Sequence, residues 1–125
     1  MAEQLEGTKL AGFEPKTAVS TLEIIDITTG EGDEVKAGAT ITAHYTGALA
    51  SNGTIFQSSK DMGRPATFGL NQVIAGWTQG VPGMKVGGTR RLIIPAASAY
   101  GAASPSPNIP ANSDLVFDIE LIAIS

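Results

Sequence analysis

The side chains that could carry out chemistry in this sequence are few, and most are aromatic. The 125 residues include no cysteine and one histidine, His44. A thiolate metal site, a cysteine nucleophile and a metal centre with several histidines are therefore excluded. The chain also lacks the Gly-Xaa-Ser-Xaa-Gly segment of a serine-hydrolase nucleophile elbow. The remaining candidates are tyrosine, phenylalanine and tryptophan, whose rings bind apolar groups.

Two of these aromatic residues lie in a segment that predicts a strand hairpin. Apolar and polar side chains alternate in residues 40–45, which places Tyr45 on one face of a strand and His44 on the other. His44 is therefore interpreted as a structural histidine and not as a general base. The Asn52-Gly53 pair favours a tight hairpin, after which the chain returns as a strand that carries Phe56.

Two further half-buried strands are predicted near the end of the chain. Residues 91–94 and 114–121 alternate in polarity, and the second alternation turns Phe117 inward. Residues 96–112 lie between these strands and are rich in proline, serine and alanine, so they predict a loop. A loop of this length in a small domain usually has a function. An earlier strand is predicted in residues 22–27.

One short helix is predicted between these strands. It begins at Asn71, a good N-cap residue, and runs for about three turns until glycine and proline end it. Its apolar face is formed by Val73, Ile74, Trp77 and Val81. The expected fold is α+β, with an antiparallel sheet of five or six strands, one face polar and one apolar, curled over this helix. A pocket can form where the sheet and the helix separate.

The composition predicts one globular domain. Hydrophobic residues make up 42% of the chain and charged residues 16%. The net charge of -4 disfavours nucleic acid and anionic membranes as partners. No basic leader and no run of about 18 apolar residues is present. We therefore expect a cytoplasmic monomer with no membrane or nucleic-acid partner.

The chain divides into an arm and a domain. Residues 1–20 show neither a helical nor a strand period and are expected to form an N-terminal arm, with Leu10 and Phe13 as its contacts to the domain. Residues 21–125 are expected to form the domain itself. The adjacent Arg90-Arg91 pair lies on a predicted strand, and both side chains are expected to be solvated charges without a function.

Seven short segments occur in an order and spacing that are typical of one family. They are His44-Tyr45-Thr46-Gly47, Phe56-Gln57-Ser58-Ser59, Val73-Ile74-Ala75-Gly76-Trp77, Gly80-Val81, Met84-Lys85-Val86-Gly87, Tyr100-Gly101 and Leu115-Val116-Phe117-Asp118-Ile119-Glu120-Leu121. Through these segments, about residues 21–125 resemble the FK506-binding (FKBP) family of peptidyl-prolyl cis/trans isomerases. The resemblance implies an enzyme that assists protein folding by rotating Xaa-Pro bonds in an apolar aromatic pocket.

The resemblance also implies which residues form that pocket. Trp77 would be its floor, while the backbone N–H of Ile74 and the hydroxyl of Tyr100 would hold the carbonyl that precedes proline. The implied catalytic residues are Tyr45, Phe56, Gln57, Trp77, Tyr100 and Phe117. The implied substrate-binding residues are Phe68, Val73, Ile74 and Ile109. No metal or cofactor is implied, and the implied partners are proline-containing polypeptides.

The sequence departs from the family pattern at the rim of the pocket. Gln57 stands where aspartate is usual, Ala66 stands where an aromatic residue is common, and Pro105 and Asn108 replace bulkier or more apolar groups. We therefore expect retained isomerase activity but reduced affinity for macrolide inhibitors such as FK506 and rapamycin. The alternative function is a non-catalytic docking or chaperone module. The loop in residues 96–112 has no room for the flap domain that chaperone-like relatives insert.

Overall fold

The fold consists of an antiparallel sheet and one short helix. A computed structural model describes residues 21–101 and 109–124 together with Leu10, Phe13 and Val19, without the side chains of Lys60 and Met62. The strands are β1 (Glu23–Thr28), β2 (Thr40–Leu49), β3 (Ile55–Ser58), β4 (Ala66–Gly69), β5 (Thr89–Ile94) and β6 (Leu115–Ile124), and the helix is α1 (Ala75–Gly80). Short 3-10 turns span Ser59–Met62 and Ala96–Ser98. In the described part of the chain, no helix has the length and apolar character that crossing a membrane requires.

The long strands β2 and β6 form the centre of the sheet. The strand order is β1-β5-β6-β2-β3, with β4 paired to the first half of β2. Pairing of β2 with β6 runs from Ile41 opposite Ile124 to Leu49 opposite Leu115. The predicted α+β architecture with an antiparallel sheet of six strands is therefore confirmed.

The alternation in β2 acts as the sequence predicts. Ile41, Ala43 and Tyr45 are buried in the main core, whereas His44 lies on the other face and is half-buried. The Nδ1 atom of His44 lies 2.9 Å from Ser59 Oγ, within hydrogen-bond distance. The predicted hairpin is present as well, because β3 follows β2 and pairs with it in antiparallel register.

The helix is shorter than predicted and begins later. The predicted start at Asn71 and the predicted length of three turns are wrong, since α1 has six residues and begins at Ala75. The N–H of Gln72 closes a turn by donating to Gly69 O at 2.9 Å. Ile74 has an extended backbone, with φ of -59° and ψ of 151°. Helical geometry can therefore begin only after Ile74.

Two glycines bring α1 unusually close to β5. A Cβ atom on Gly76 would lie 2.6 Å from Ile94 Cδ1 and Cγ2, and one on Gly80 would lie 2.7 Å from Leu92 Cδ2. Real Cβ atoms do not approach other heavy atoms this closely, so glycine is required for the observed packing. This close packing places Trp77, which lies between the two glycines on α1, deep in the core.

The outer face of the sheet is not polar throughout, which corrects the expectation of one polar and one apolar face. Ile55, Ile93 and Val116 are buried there in a second apolar cluster, against which Leu10 and Phe13 pack. These two contacts supply the cover that alternation in the strands alone could not predict. The arm as a whole, residues 1–20, lies mostly outside the described residues, so its boundary with the domain stays a prediction.

The Arg90-Arg91 pair is not solvated, contrary to expectation. The side chains are only 10% and 12% exposed. Arg90 pairs with Asp26 on β1, with 2.6 Å between Nε and Oδ1, and Arg91 pairs with Asp118 on β6 at 2.7 Å. The hydrogen bonds to Asp118 raise the pKa of the Arg91 guanidinium. The expectation was wrong because each carboxylate lies on a neighbouring strand directly opposite its arginine. The sequence of the arginine strand alone does not reveal which residues its neighbours place there.

Substitution of Gly76 tests the close packing of α1. Gly76→Ala gains about 1 kcal/mol of helix propensity, but its new methyl group meets Ile94 Cγ2 at 2.6 Å and Cγ1 at 2.8 Å, and both atoms are bonded directly to the Cβ of a buried β-branched side chain. Overpacking typically costs about 1–3 kcal/mol, and contacts below 3.0 Å with three Ile94 atoms place this substitution in the upper half of that range. The gain in helix propensity offsets part of this cost. We expect the free energy of unfolding in urea to fall by about 1–2 kcal/mol.

Gln79→Ala is the matched control, because Gln79 is exposed on the same helix. Its free energy of unfolding should stay within about 0.5 kcal/mol of the wild type. A Gly76→Ala protein as stable as the wild type would show that α1 can move away from β5 without cost.

Candidate active site

A cavity of about 380 Å³ opens between the sheet and the start of α1. Its size is within the range of small-molecule sites. The residues that line it are Tyr45, Phe56, Gln57, Phe68, Gln72, Val73, Ile74, Trp77, Tyr100 and Phe117. Nine of the ten site residues expected from the sequence are therefore brought together. The tenth, Ile109, is 5% exposed and belongs to the same hydrophobic core, but it does not line the cavity.

Several distant elements supply the cavity walls. Tyr45 comes from the middle of β2, where the odd-numbered side chains point into the core, and Phe117 comes from the neighbouring strand β6. Phe56 and Phe68 come from β3 and β4, the two short strands that pair with successive halves of β2. Tyr100 follows the 3-10 turn Ala96–Ser98 and is 38% exposed at the cavity mouth. The sheet thus presents its aromatic side chains to α1.

Trp77 is the centre of the aromatic packing. Its ring centroid lies 5.0 Å from Phe68, 5.4 Å from Phe117 and 5.8 Å from Tyr45, each in an edge-to-face arrangement. This geometry is favoured for aromatic pairs because ring edges carry positive charge and ring faces negative charge. Trp77 is only 4% exposed. The indole therefore has a fixed orientation and forms the floor of the cavity.

Gly47 contributes to the site although it has no side chain. A Cβ atom there would lie 2.7 Å from Phe117 Cε1 and from Phe56 Cζ. The rings of Phe56 and Phe117 pack edge to face over this glycine, with centroids 5.8 Å apart. Sequence reasoning quoted Gly47 only as part of a motif, because a glycine within a strand gives no local signal of what packs against it.

Gln72 is the lining residue that sequence reasoning missed. It was assigned to the predicted helix, whereas it lies in the turn before α1 and is exposed at the cavity. Together with Gln57 it gives the rim two uncharged amides, each of which can donate and accept hydrogen bonds. No local sequence signal pointed to Gln72, because the strong N-cap preference of Asn71 favours a helix that would include it.

The main chain of Tyr45 is fixed from behind by a buried serine. Its N–H donates to Ser59 Oγ at 2.8 Å, and Ser59 is fully buried.

Burial raises the pKa of the Tyr45 hydroxyl above its ordinary value, and the proximity of Tyr100 adds to the shift. The Tyr45 phenol is therefore protonated and neutral near pH 7.

The donors at the cavity that have no acceptor within the described residues include the two that the resemblance implies for holding the substrate carbonyl. They are the backbone N–H of Ile74, which precedes the first turn of α1, and the hydroxyl of Tyr100. The indole N–H of Trp77 is also buried without a partner in that part of the chain. An unpaired donor beside a cavity is available to a bound carbonyl group.

The arrangement is suited to binding and not to proton transfer or metal chemistry. The lining residues include no carboxylate and no lysine or arginine side chain. Within residues 21–101 and 109–124, no cluster of three histidine, aspartate or glutamate side chains could hold a metal ion. The site can enclose a small apolar ring and hold one polar oxygen.

Comparison with known proteins shows what this chain is similar to. The FK506-binding protein of Neisseria meningitidis is 44% identical over 108 residues, which cover 85% of this chain and 98% of that protein. The isomerase FkpA of Aeromonas hydrophila is 52% identical over 95 residues, 76% of this chain and 35% of that protein. A peptidyl-prolyl isomerase structure from Pseudomonas syringae superposes with a TM-score of 0.75 at 36% identity, covering 88% of this chain and 80% of that one.

The extent of these matches differs between relatives. This chain spans 32% to 47% of the length of three curated relatives that it matches. The family model described as FKBP-type peptidyl-prolyl cis-trans isomerase matches residues 32–122, which include all ten lining residues of the cavity. The chain therefore belongs to the family of FKBP-type peptidyl-prolyl cis-trans isomerases.

Proposed function

We propose that this chain is a peptidyl-prolyl cis/trans isomerase that binds the proline ring of a polypeptide over Trp77. The observation that carries the proposal is the convergence of six aromatic side chains with the Ile74 N–H and the Tyr100 hydroxyl on one cavity. Isomerase names among its relatives support the same activity. The substrates are proline-containing polypeptides.

The chemistry requires only a change of environment around the Xaa-Pro bond. Rotation about a peptide C–N bond is slow because resonance makes the bond partly double, with a barrier of about 18–20 kcal/mol. The planar bond has more charge separation than the twisted one. An apolar cavity therefore destabilises the planar form relative to the twisted transition state.

The two unpaired donors complete the mechanism by holding one side of the rotating bond. The Ile74 N–H and the Tyr100 hydroxyl donate to the substrate carbonyl before proline, while the proline ring rests on the indole of Trp77. A rate increase of about 10⁵-fold to 10⁶-fold needs about 7–8 kcal/mol. Desolvation and a few hydrogen bonds can supply this amount, so neither an acid–base pair nor a cofactor is required.

The uncharged rim sets the ligand preference. Gln57 replaces the aspartate that is usual at its position in the family, and Gln72 lines the cavity as well. Neither amide carries a charge, and hydrogen bonds with charged partners are typically stronger than neutral ones. Macrolides such as FK506 and rapamycin therefore bind more weakly here than to family members with the aspartate. The contribution of Pro105 and Asn108 stays a prediction, because both lie outside the described residues.

Assembly and location stay predictions. We infer a monomer in the cytoplasm from the sequence, and sedimentation and cell fractionation test the two inferences. The alternative of a non-catalytic docking or chaperone module receives less support, because Trp77 forms the floor of the cavity and both donors for the substrate carbonyl, the Ile74 N–H and the Tyr100 hydroxyl, are at the cavity. Absence of turnover in the first experiment below would favour that alternative.

Removal of the Tyr100 hydroxyl tests the catalytic role of the cavity. Tyr100→Phe should lower kcat/KM for a Leu-Pro-Phe peptide about fivefold to tenfold, which corresponds to one hydrogen bond of about 1–1.4 kcal/mol. Stability in urea should be unchanged, since no described residue accepts a hydrogen bond from this hydroxyl. Exchange spectroscopy measures the rate directly at equilibrium.

Thr42→Val is the matched control for this experiment. It also deletes one hydroxyl, but Thr42 pairs with Thr67 on the exposed face, away from the cavity. Its kcat/KM should equal that of the wild type. If the wild type itself causes no exchange of the peptide, the isomerase proposal fails.

Restoring the family charge tests the role of the rim. Gln57→Asp should tighten FK506 binding about fivefold, because a hydrogen bond to a carboxylate is worth roughly 1 kcal/mol more than one to an amide. Titration of the fluorescence of Trp77, the only tryptophan, gives the dissociation constant. Gln79→Asp adds the same charge at an exposed position of α1 and should leave affinity unchanged. Nanomolar wild-type binding that Gln57→Asp does not alter would contradict the prediction.

A further inference from the structure

Asp114 joins two parts of the chain that are far apart in sequence. It lies directly before β6, and its carbonyl oxygen accepts from the N–H of Ala50 at 2.9 Å, which fixes its backbone. One carboxylate oxygen, Oδ1, accepts from the N–H of Ala96 at 2.9 Å. The other, Oδ2, accepts from the N–H of Val19 at 3.0 Å. One side chain thus binds the N-terminal segment and the start of the loop that carries Tyr100.

Ala96 is the point from which the Tyr100 segment is held. Its carbonyl oxygen accepts from the N–H of Ala99 at 3.0 Å and from the N–H of Gly101 at 2.8 Å. These two residues flank Tyr100 on both sides. The N–H of Ala96 donates to the Asp114 carboxylate, so both the N–H and the carbonyl oxygen of Ala96 form hydrogen bonds. A continuous set of hydrogen bonds therefore runs from the Asp114 carboxylate to the backbone around Tyr100.

Tyr100 depends on this support because its own side chain is weakly held. It is 38% exposed, whereas Tyr45 and Trp77 are 8% and 4% exposed. None of the described residues accepts a hydrogen bond from its hydroxyl, and none of the ring pairs within the described chain includes it. The position of the Tyr100 hydroxyl is therefore set mainly by its backbone.

We propose that Asp114 is a positioning residue for Tyr100, with the Asp114 carboxylate fixing the turn at Ala96 so that the Tyr100 hydroxyl faces the cavity. The proposal rests on the proposed isomerase function for its kinetic consequence, but its structural consequence can be measured without turnover. A carboxylate suits this task because it offers one acceptor oxygen to each N–H group. An amide at this position could accept from only one of them.

The chain provides an internal reference for the structural part of the test, since it has two tyrosines. With ring-labelled tyrosine, Asp114→Ala should shift and broaden the NMR signals of Tyr100 while those of buried Tyr45 on β2 stay in place. Asp118→Asn is the matched control, because it weakens the pairing of Asp118 on β6 with Arg91 on β5, whereas the N–H of Ala96 donates to Asp114 and not to Asp118. It should leave the Tyr100 signals unchanged.

A double-mutant cycle with Tyr100→Phe tests whether the carboxylate acts through the hydroxyl. Asp114→Ala should lower kcat/KM about threefold to tenfold in the wild-type background and less than twofold in the Tyr100→Phe background, because coupled residues are not additive. Asp114→Asn should give an intermediate loss. A destabilising effect spread over the whole fold would instead lower kcat/KM equally in both backgrounds.

The two experiments separate the proposals. Equal losses in both backgrounds, or Tyr100 signals that do not respond to Asp114→Ala, would overturn the positioning role. Lack of wild-type turnover would overturn the isomerase function alone, because the Tyr100 signals would still report whether Asp114 fixes the turn.

Discussion

The close approach of α1 to β5 is the constraint on which the site depends. Gly76 and Gly80 remove the side chains that would separate the helix from Ile94 and Leu92. Trp77 lies between them on α1, and the close approach of the helix brings its ring into edge-to-face contact with Tyr45, Phe68 and Phe117. If α1 lay further from the sheet by the width of one methyl group, a gap would open between them. The indole of Trp77 would then lose the packing that fixes its orientation as the floor of the cavity.

Charge in this fold is kept near the helix end and the sheet faces and away from the cavity. Arg90 donates to the carbonyl oxygens of Gly80 and Pro82 at 2.8 and 3.2 Å while it pairs with Asp26. It thus binds the chain where α1 ends and secures the helix against β1 and β5. The cavity, in contrast, contains neutral groups only. This separation suits a reaction whose transition state is less polar than its ground state.

The sequence predicted what depends on local periodicity and missed what depends on partners across the sheet. Alternation was sufficient to turn Tyr45 and Phe117 inward, because a period of two needs no knowledge of the partner strand. It could not reveal that Asp26 and Asp118 lie opposite the arginines, since register between distant strands is a tertiary property. The late start of α1 was hidden for a similar reason: the Gln72 turn onto Gly69 competes with the N-cap at Asn71. Phe68 and Tyr100 were placed at the site by family resemblance and not by pattern.

The central position of the β2–β6 pair has a consequence for how the molecule forms during synthesis. Residues 41–49 have their longest partner strand in residues 115–124, so the middle of the sheet cannot close until β6 has been synthesised. Pairing over such sequence separations requires costly loop closure and slows folding. Until β6 arrives, one edge of β2 has no partner strand. A protein proposed to help other chains fold therefore passes through a long unprotected stage of its own.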